Sequence, residues 1–160
     1  MKKLFHAILI TVLLLVSLPV GAVSAEDAIL WERSDDGMHT LDTYVLAIDP
    51  QTPSTLYAGT ADDGIFKSVN GGLSWNAVND GLPDTVVYTL AIDPQTPSTL
   101  YAGTWHGLFK TTNSGESWSE INNGLTGNYV RRIAIDPKTP GTLYAGVYNH
   151  GVFKSVNGGQ

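Results

Sequence analysis

The side chains with the most chemical potential fall in short stretches that vary between otherwise similar parts of the sequence: Ala61-Asp62-Asp63-Gly64, Trp105-His106-Gly107 and Tyr148-Asn149-His150-Gly151, with Tyr129 and Arg131 in a second variable stretch. Three chemistries are open to them. Asp62 and Asp63, together with Asp84, could supply the two carboxylates that glycoside hydrolysis needs across a cleft. His106 and His150 with Asp62 or Asp63 have donor types that suit zinc. Trp105, Tyr129 and Tyr148 could stack on a ligand, with Arg131 and Asn149 beside them. Against all three stands a plainer role, because Asp63-Gly64, His106-Gly107 and His150-Gly151 are also ordinary hairpin-turn pairs. No spacing selects one carboxylate pair, and no phosphate loop, nucleophile elbow or metal motif occurs. We therefore expect no metal and no cofactor, and no residue is assigned a catalytic role.

These stretches sit between near-identical segments that must position them. LAIDPQTPSTLYAGT occupies 46–60 and again 90–104, and IAIDPKTPGTLYAGV occupies 133–147. Each copy continues into GIFKSVNGG, GLFKTTNSG or GVFKSVNGG, and Trp31, Trp75 and Trp118 keep the same beat of 44 and then 43 residues. A period of about 40–50 residues signals a propeller or solenoid. Within a unit, four short strands are expected. The first is Tyr88–Ile92, with Tyr88, Leu90 and Ile92 on one face. Thr99–Gly103 and Gly107–Thr111 follow, and a fourth strand lies around Trp118. Asp49, Asp93 and Asp136 precede Pro in the first turn and read as turn caps. In an up-and-down blade the loops joining strands two to three and four to one share a face, so the variable residues share it too, as binding residues on a rigid scaffold commonly do.

The turn before the tryptophan is the most specific motif. Ser68-x-Asn70-x-Gly72-x-Ser-Trp75 and Thr111-x-Asn113-x-Gly115-x-Ser-Trp118 share one form, and Ser155-x-Asn157-x-Gly159 begins a third. An Asn side chain can accept turn N–H groups, Gly supplies positive φ, and Trp buries a large apolar surface. This motif resembles the Asp-box (BNR) repeat, with Asn in the Asp position. The resemblance covers 31–160 and implies an all-β partial β-propeller of about three four-stranded blades, near 46–89, 90–132 and 133–160, with strand four of a further unit at 31–37. Families with such boxes include sialidases, sortilin-type receptors, xyloglucan-cleaving glycosidases and photosystem II assembly factors. Sialidases use three arginines, whereas Arg33, Arg131 and Arg132 are the only ones in this chain and two are adjacent, which argues against that activity.

Composition and the N-terminus set the address. Lys2 and Lys3, an apolar run over 7–20 and Val23-Ser24-Ala25 read as a secretory signal peptide over 1–25, cut after Ala25. The 26–160 remainder is then secreted or periplasmic, with no membrane attachment after cleavage. Nine basic residues against fifteen acidic ones, a net charge of −6, exclude a nucleic-acid partner of the usual kind. The absence of cysteine excludes disulfides and thiolate chemistry. Three units fall short of the 4–8 blades that close a propeller. The chain is then either a piece of a longer propeller or one half of a homodimer completing a six-bladed ring. The leading expectation is a secreted non-catalytic binding or scaffold module for a protein or glycan. The alternative is a carbohydrate-active propeller or a fragment of one.

Overall fold

The computed structural model describes residues 31–40, 42–83 and 86–160; the segment read as a signal peptide and Asp84 lie outside them. The chain divides at Arg33 into Met1–Glu32 and Arg33–Gln160, and the strands all belong to the second unit. The first sheet has the order β1 (Thr43–Ile48), β2 (Leu56–Thr60), β3 (Ile65–Ser68), β4 (Asn76–Ala77). The second runs β5 (Val87–Ile92), β6 (Leu100–Thr104), β7 (Leu108–Thr111), β8 (Ser119–Glu120). The third has three strands, β9 (Val130–Ile135), β10 (Leu143–Val147) and β11 (Gly151–Ser155). Every pairing is antiparallel between consecutive strands, and no helix occurs among the described residues. The innermost strands β1, β5 and β9 lie side by side. These are three blades of a β-propeller.

The hydrophobic cores lie between blades, which is why both faces of the central strands are apolar. Tyr57 and Ile65 of the first blade bury against Leu90, Leu100, Phe109 and Trp118 of the second. Tyr101 and Leu108 of the second bury against Val130, Leu143, Ala145 and Val147 of the third. Polar latches cross the same seams. The Tyr57 hydroxyl and Lys67 Nζ both donate to the Ser114 carbonyl, at 3.2 and 3.1 Å. Lys110 Nζ donates in the same way to the Gly158 carbonyl at 3.1 Å. In the other direction Trp118 Nε1 donates to the Val78 carbonyl at 2.9 Å, and Trp75 Nε1 to the Ser34 carbonyl at 3.0 Å. The proline turns join in as well. Asp49 Oδ1 accepts from the Gln51 and Thr52 amides, which frees the Gln51 amide group to reach the Pro94 carbonyl on the next blade. Asp93 and Gln95 repeat the arrangement towards the third blade.

The turn before each tryptophan is built as its residue types suggest. Ser68 Oγ accepts from the Gly72 amide at 2.9 Å and Asn70 Oδ1 from the Ser74 amide at 3.0 Å; Thr111 and Asn113 repeat both bonds. Gly72 and Gly115 take φ of 91° and 89°.

Three sequence expectations need correction. The fourth strand does not run through the tryptophan: Trp118 precedes β8, a two-residue strand, because the Trp backbone amide is already bonded to the Asp80 carbonyl of the neighbouring blade. Residues 31–37 form no strand. A fourth strand needs the third strand of its own blade, as β4 needs β3, and among the described residues no strand pairs with this segment. Instead it straps the first blade through Ser34 and Asp36, whose carbonyls hold Trp75. Finally, Tyr88 does not share a face with Leu90, because a bulge intervenes.

Candidate binding face

Each innermost strand carries one extra residue near its start. The register jumps between Thr43 and Val45, between Val87 and Thr89, and between Val130 and Arg132, opposite Gly59-Thr60, Gly103-Thr104 and Gly146-Val147. The extra residues are Tyr44, Tyr88 and Arg131. A β-bulge re-aims its side chain out of the regular alternation, so the same device operates at one repeat position of all three blades.

The re-aimed side chains meet the variable loops in one aromatic row. Tyr44 stacks on Tyr88 with ring centroids 5.8 Å apart and an interplanar angle of 16°. Tyr88 meets Tyr129 at 4.6 Å, Tyr129 meets Trp105 at 4.6 Å, and Tyr129 meets Tyr148 at 5.3 Å. The Arg131 guanidinium lies over two of these rings, 5.1 Å from the Tyr129 centroid and 5.5 Å from that of Tyr148. Tyr44, Trp105, Tyr148 and Arg131 are exposed, while Tyr88 and Tyr129 are half-buried beneath them. The backbone also ties the row, since the Tyr148 amide donates to the Tyr129 carbonyl at 2.9 Å. Tilted rings at these separations attract one another, and a guanidinium over an aromatic face adds a cation–π contact. The row is thus held in place without a ligand.

The remaining sequence-selected residues behave differently. Asp62 is exposed, and Asp63 is half-buried with its backbone used in the turn: its amide donates to Thr60 Oγ1, and its carbonyl accepts from Asn79 Nδ2. Asn79 Oδ1 also takes the Ile65 amide at 2.7 Å. Asn122 repeats this on the second blade, bonding the Leu108 amide and the His106 carbonyl. The His106 amide donates to Thr104 Oγ1 at 3.0 Å. His150 Nδ1 lies 2.8 Å from the Tyr148 carbonyl, and Asn149 makes the turn at a φ of 59°. The His150 ring covers Gly127, where a β-carbon would meet it at 2.6 Å. Among the described residues no three His, Cys, Asp or Glu side chains converge as metal ligands. Asp62, Asp63, His106, Asn149 and His150 are placed by turn chemistry, whereas Trp105, Tyr129, Tyr148 and Arg131 converge with Tyr44 and Tyr88. Sequence reasoning missed Tyr44 and Tyr88. The available signal was their spacing of 44 residues at one repeat position.

Comparison with known proteins supports the fold. No family model matches the chain, and no curated protein does. Solved structures do match, and they are β-propeller proteins. A GH74 enzyme of Niastella koreensis is 30% identical over 73% of this chain, with a TM-score of 0.60. The GH74 xyloglucanase of Xanthomonas campestris is 15% identical over 73%, with a TM-score of 0.61. YCF48 bound to D1 peptide is 14% identical over 74%, with a TM-score of 0.58. The chain spans 21%, 22% and 38% of their lengths. Fold and repeat architecture therefore define the class, a β-propeller repeat protein, of which this chain supplies three blades.

Proposed function

We propose that the chain is a non-catalytic binding or scaffold module that captures a protein or glycan ligand on the aromatic row. The observation that carries this reading is the repeated bulge: three blades spend the same backbone irregularity on Tyr44, Tyr88 and Arg131, and the three side chains join one exposed surface. Exposed aromatic groups fixed on a rigid scaffold suit stacking on a sugar ring or an apolar side chain. Arg131 presents its guanidinium edge to a polar or anionic group. The basic start and apolar run at the N-terminus support delivery to the periplasm or medium. The tryptophan turns, with their Asp-box likeness, serve as blade latches in this reading and stay clear of the ligand.

The likeness to GH74 enzymes keeps a carbohydrate-active reading as the alternative, with Asp62 and Asp63 as its described carboxylates. Xyloglucan oligosaccharides and the D1 peptide are the first probes, since the matched structures name them. Binding is followed by the fluorescence anisotropy of the dye-labelled probe. The Trp105→Ala, Tyr148→Ala double variant should weaken capture at least tenfold while leaving the circular dichroism spectrum unchanged. Undiminished capture would remove the row from the reading. Release of reducing ends from xyloglucan, lost in Asp62→Asn, Asp63→Asn, would favour the carbohydrate-active alternative.

A further inference from the structure

Equivalent repeat positions around the aromatic row carry different residues on the three blades. At the bulge they are Tyr44, Tyr88 and Arg131. At the start of the loop joining strands two and three they are Ala61, Trp105 and Tyr148, and just before the innermost strand they are Asp42, Val86 and Tyr129. The equivalence is structural as well, since the Ala61 amide donates to the Asp42 carbonyl as the Tyr148 amide does to Tyr129, both at 2.9 Å. The rings of the last two sets therefore meet across the seam between the second and third blades, both of which belong to this chain. Arg131, the one cation at the bulge position, joins them there. The first blade has a small residue and a carboxylate in the same places.

Arg131 carries its charge without a counterion. Its side chain is exposed, and among the described residues no carboxylate lies within ion-pair distance of it, the one salt bridge being Arg33 with Asp35. A guanidinium offers five N–H donors in a planar fork that matches a carboxylate. The rings of Tyr129 and Tyr148 restrain that fork in advance, which reduces the entropy lost when an anion takes it. The surface beside it is a platform rather than a set of pockets. Ring centroids between 4.6 and 5.8 Å apart put neighbouring rings in contact, so no side chain of a partner can insert between them. The anchor residues of a bound peptide need such pockets. A sugar ring needs only its face of C–H groups, laid on the exposed aromatic surface of Trp105 and Tyr148. Charge narrows the ligand further. The chain has nine basic residues against fifteen acidic ones, and Asp42 and Asp62 are exposed on the first blade. Salt at 0.1 M screens exposed charges beyond about 10 Å, so a lone carboxylate at Arg131 feels those acids little. A dense polyanion extending over them would be repelled.

Resting on the reading of the aromatic row as a binding surface, we propose that its ligand is a glycan in which hexuronic acid units alternate with neutral sugars. The uronate carboxylate pairs with the Arg131 guanidinium through charge-assisted hydrogen bonds. The ring that bears it, or the neutral ring beside it, lies on Trp105 and Tyr148. The neutral units continue along the row towards Tyr88 and Tyr44, away from the one cation. The substitution of arginine for tyrosine at the third bulge thus sets specificity, and the aromatic rings supply contact area common to acidic and neutral sugars.

The test is an anisotropy titration of the full chain with three dye-labelled probes. One is an oligosaccharide of alternating glucuronate and N-acetylglucosamine. The second is the same oligosaccharide with its carboxyl groups reduced to alcohols, and the third is a peptide with a free C-terminal carboxylate. Wild type should bind the acidic sugar about tenfold more tightly than the reduced one, the worth of one hydrogen-bonded charged group. Arg131→Gln should bring the two sugars within about twofold of each other, and Arg132→Gln should keep the preference, each with an unchanged circular dichroism spectrum. Trp105→Ala should weaken both sugars. Equal affinity of wild type for the two sugars, a preference that survives Arg131→Gln, or capture of neither sugar would each overturn the proposal. Capture of the peptide alone, lost in the Trp105→Ala, Tyr148→Ala double variant, would overturn it and leave the row as a binding surface. Capture that the double variant does not diminish would remove both.

Discussion

A β-carbon on Gly103 would lie 2.5 Å from Thr89 Cγ2 and 2.8 Å from the Val130 carbonyl. Gly103 is therefore kept by close approach to the next blade, and forcing a methyl group into such a seam costs about 1–3 kcal/mol. Gly103→Ala should lower the unfolding free energy by that amount in urea titration. Gly146 holds the same place on the third blade, yet its nearest neighbour would be Arg132 Cβ at 3.5 Å, an ordinary contact. Gly146→Ala should stay within about 0.5 kcal/mol of wild type, as surface changes do. Arg131 poses a similar residue-scale question. A lysine keeps the charge but loses the planar group over Tyr129 and Tyr148. Arg131→Lys should thus weaken ligand capture in the fluorescence titration, and Arg132→Lys should not.

At the scale of the element, the seams depend on buried phenols. Burial raises the Tyr57 hydroxyl above its ordinary 10.0, with the Asp49 carboxylate adding to the effect and the bond to Ser114 opposing it. Burial raises Tyr101 as well, with help from Asp93. A raised folded pKa means that the unfolded chain loses its proton first. The contribution is fully present below pH 10 and is lost as pH rises through the folded values. The melting temperature should fall from about pH 10 upwards, and Tyr57→Phe, Tyr101→Phe should flatten that fall. Asp136 acts in the opposite direction. The Lys138 and Thr139 amides hold its carboxyl below 3.8, so its contribution is present near neutrality and disappears as acid protonates it.

For the whole molecule, stability is close to a sum of blades and seams. The second blade has a neighbour on both faces and the third on one. Local opening should follow that order. In hydrogen exchange under conditions where single chains dominate, β6 and β7 should be the most protected strands and β11 the least. Equal protection in β7 and β11 of the single chain would contradict the seam account.

Much of this was legible in the sequence. The copies of LYAGT and FKS, with Asn-Gly and Asp-Pro turns at fixed intervals, specify short antiparallel strands because turn chemistry and strand propensity are local. The tryptophan turns were legible for the same reason, as Ser68, Asn70 and Gly72 bond within seven residues. The alternation rule placed Tyr88 beside Leu90, and it failed because a bulge depends on the partner strand: only the pairing with Gly103-Thr104 shows that one residue is extra. The aromatic row could not be read for a similar reason. Its members come from three blades and meet only when β1, β5 and β9 lie side by side. The sequence by itself determined the repeat, its strands and its turns. The tertiary structure alone decided which faces became seams and where Tyr44 and Tyr88 point, because those depend on contacts between residues some 40 positions apart.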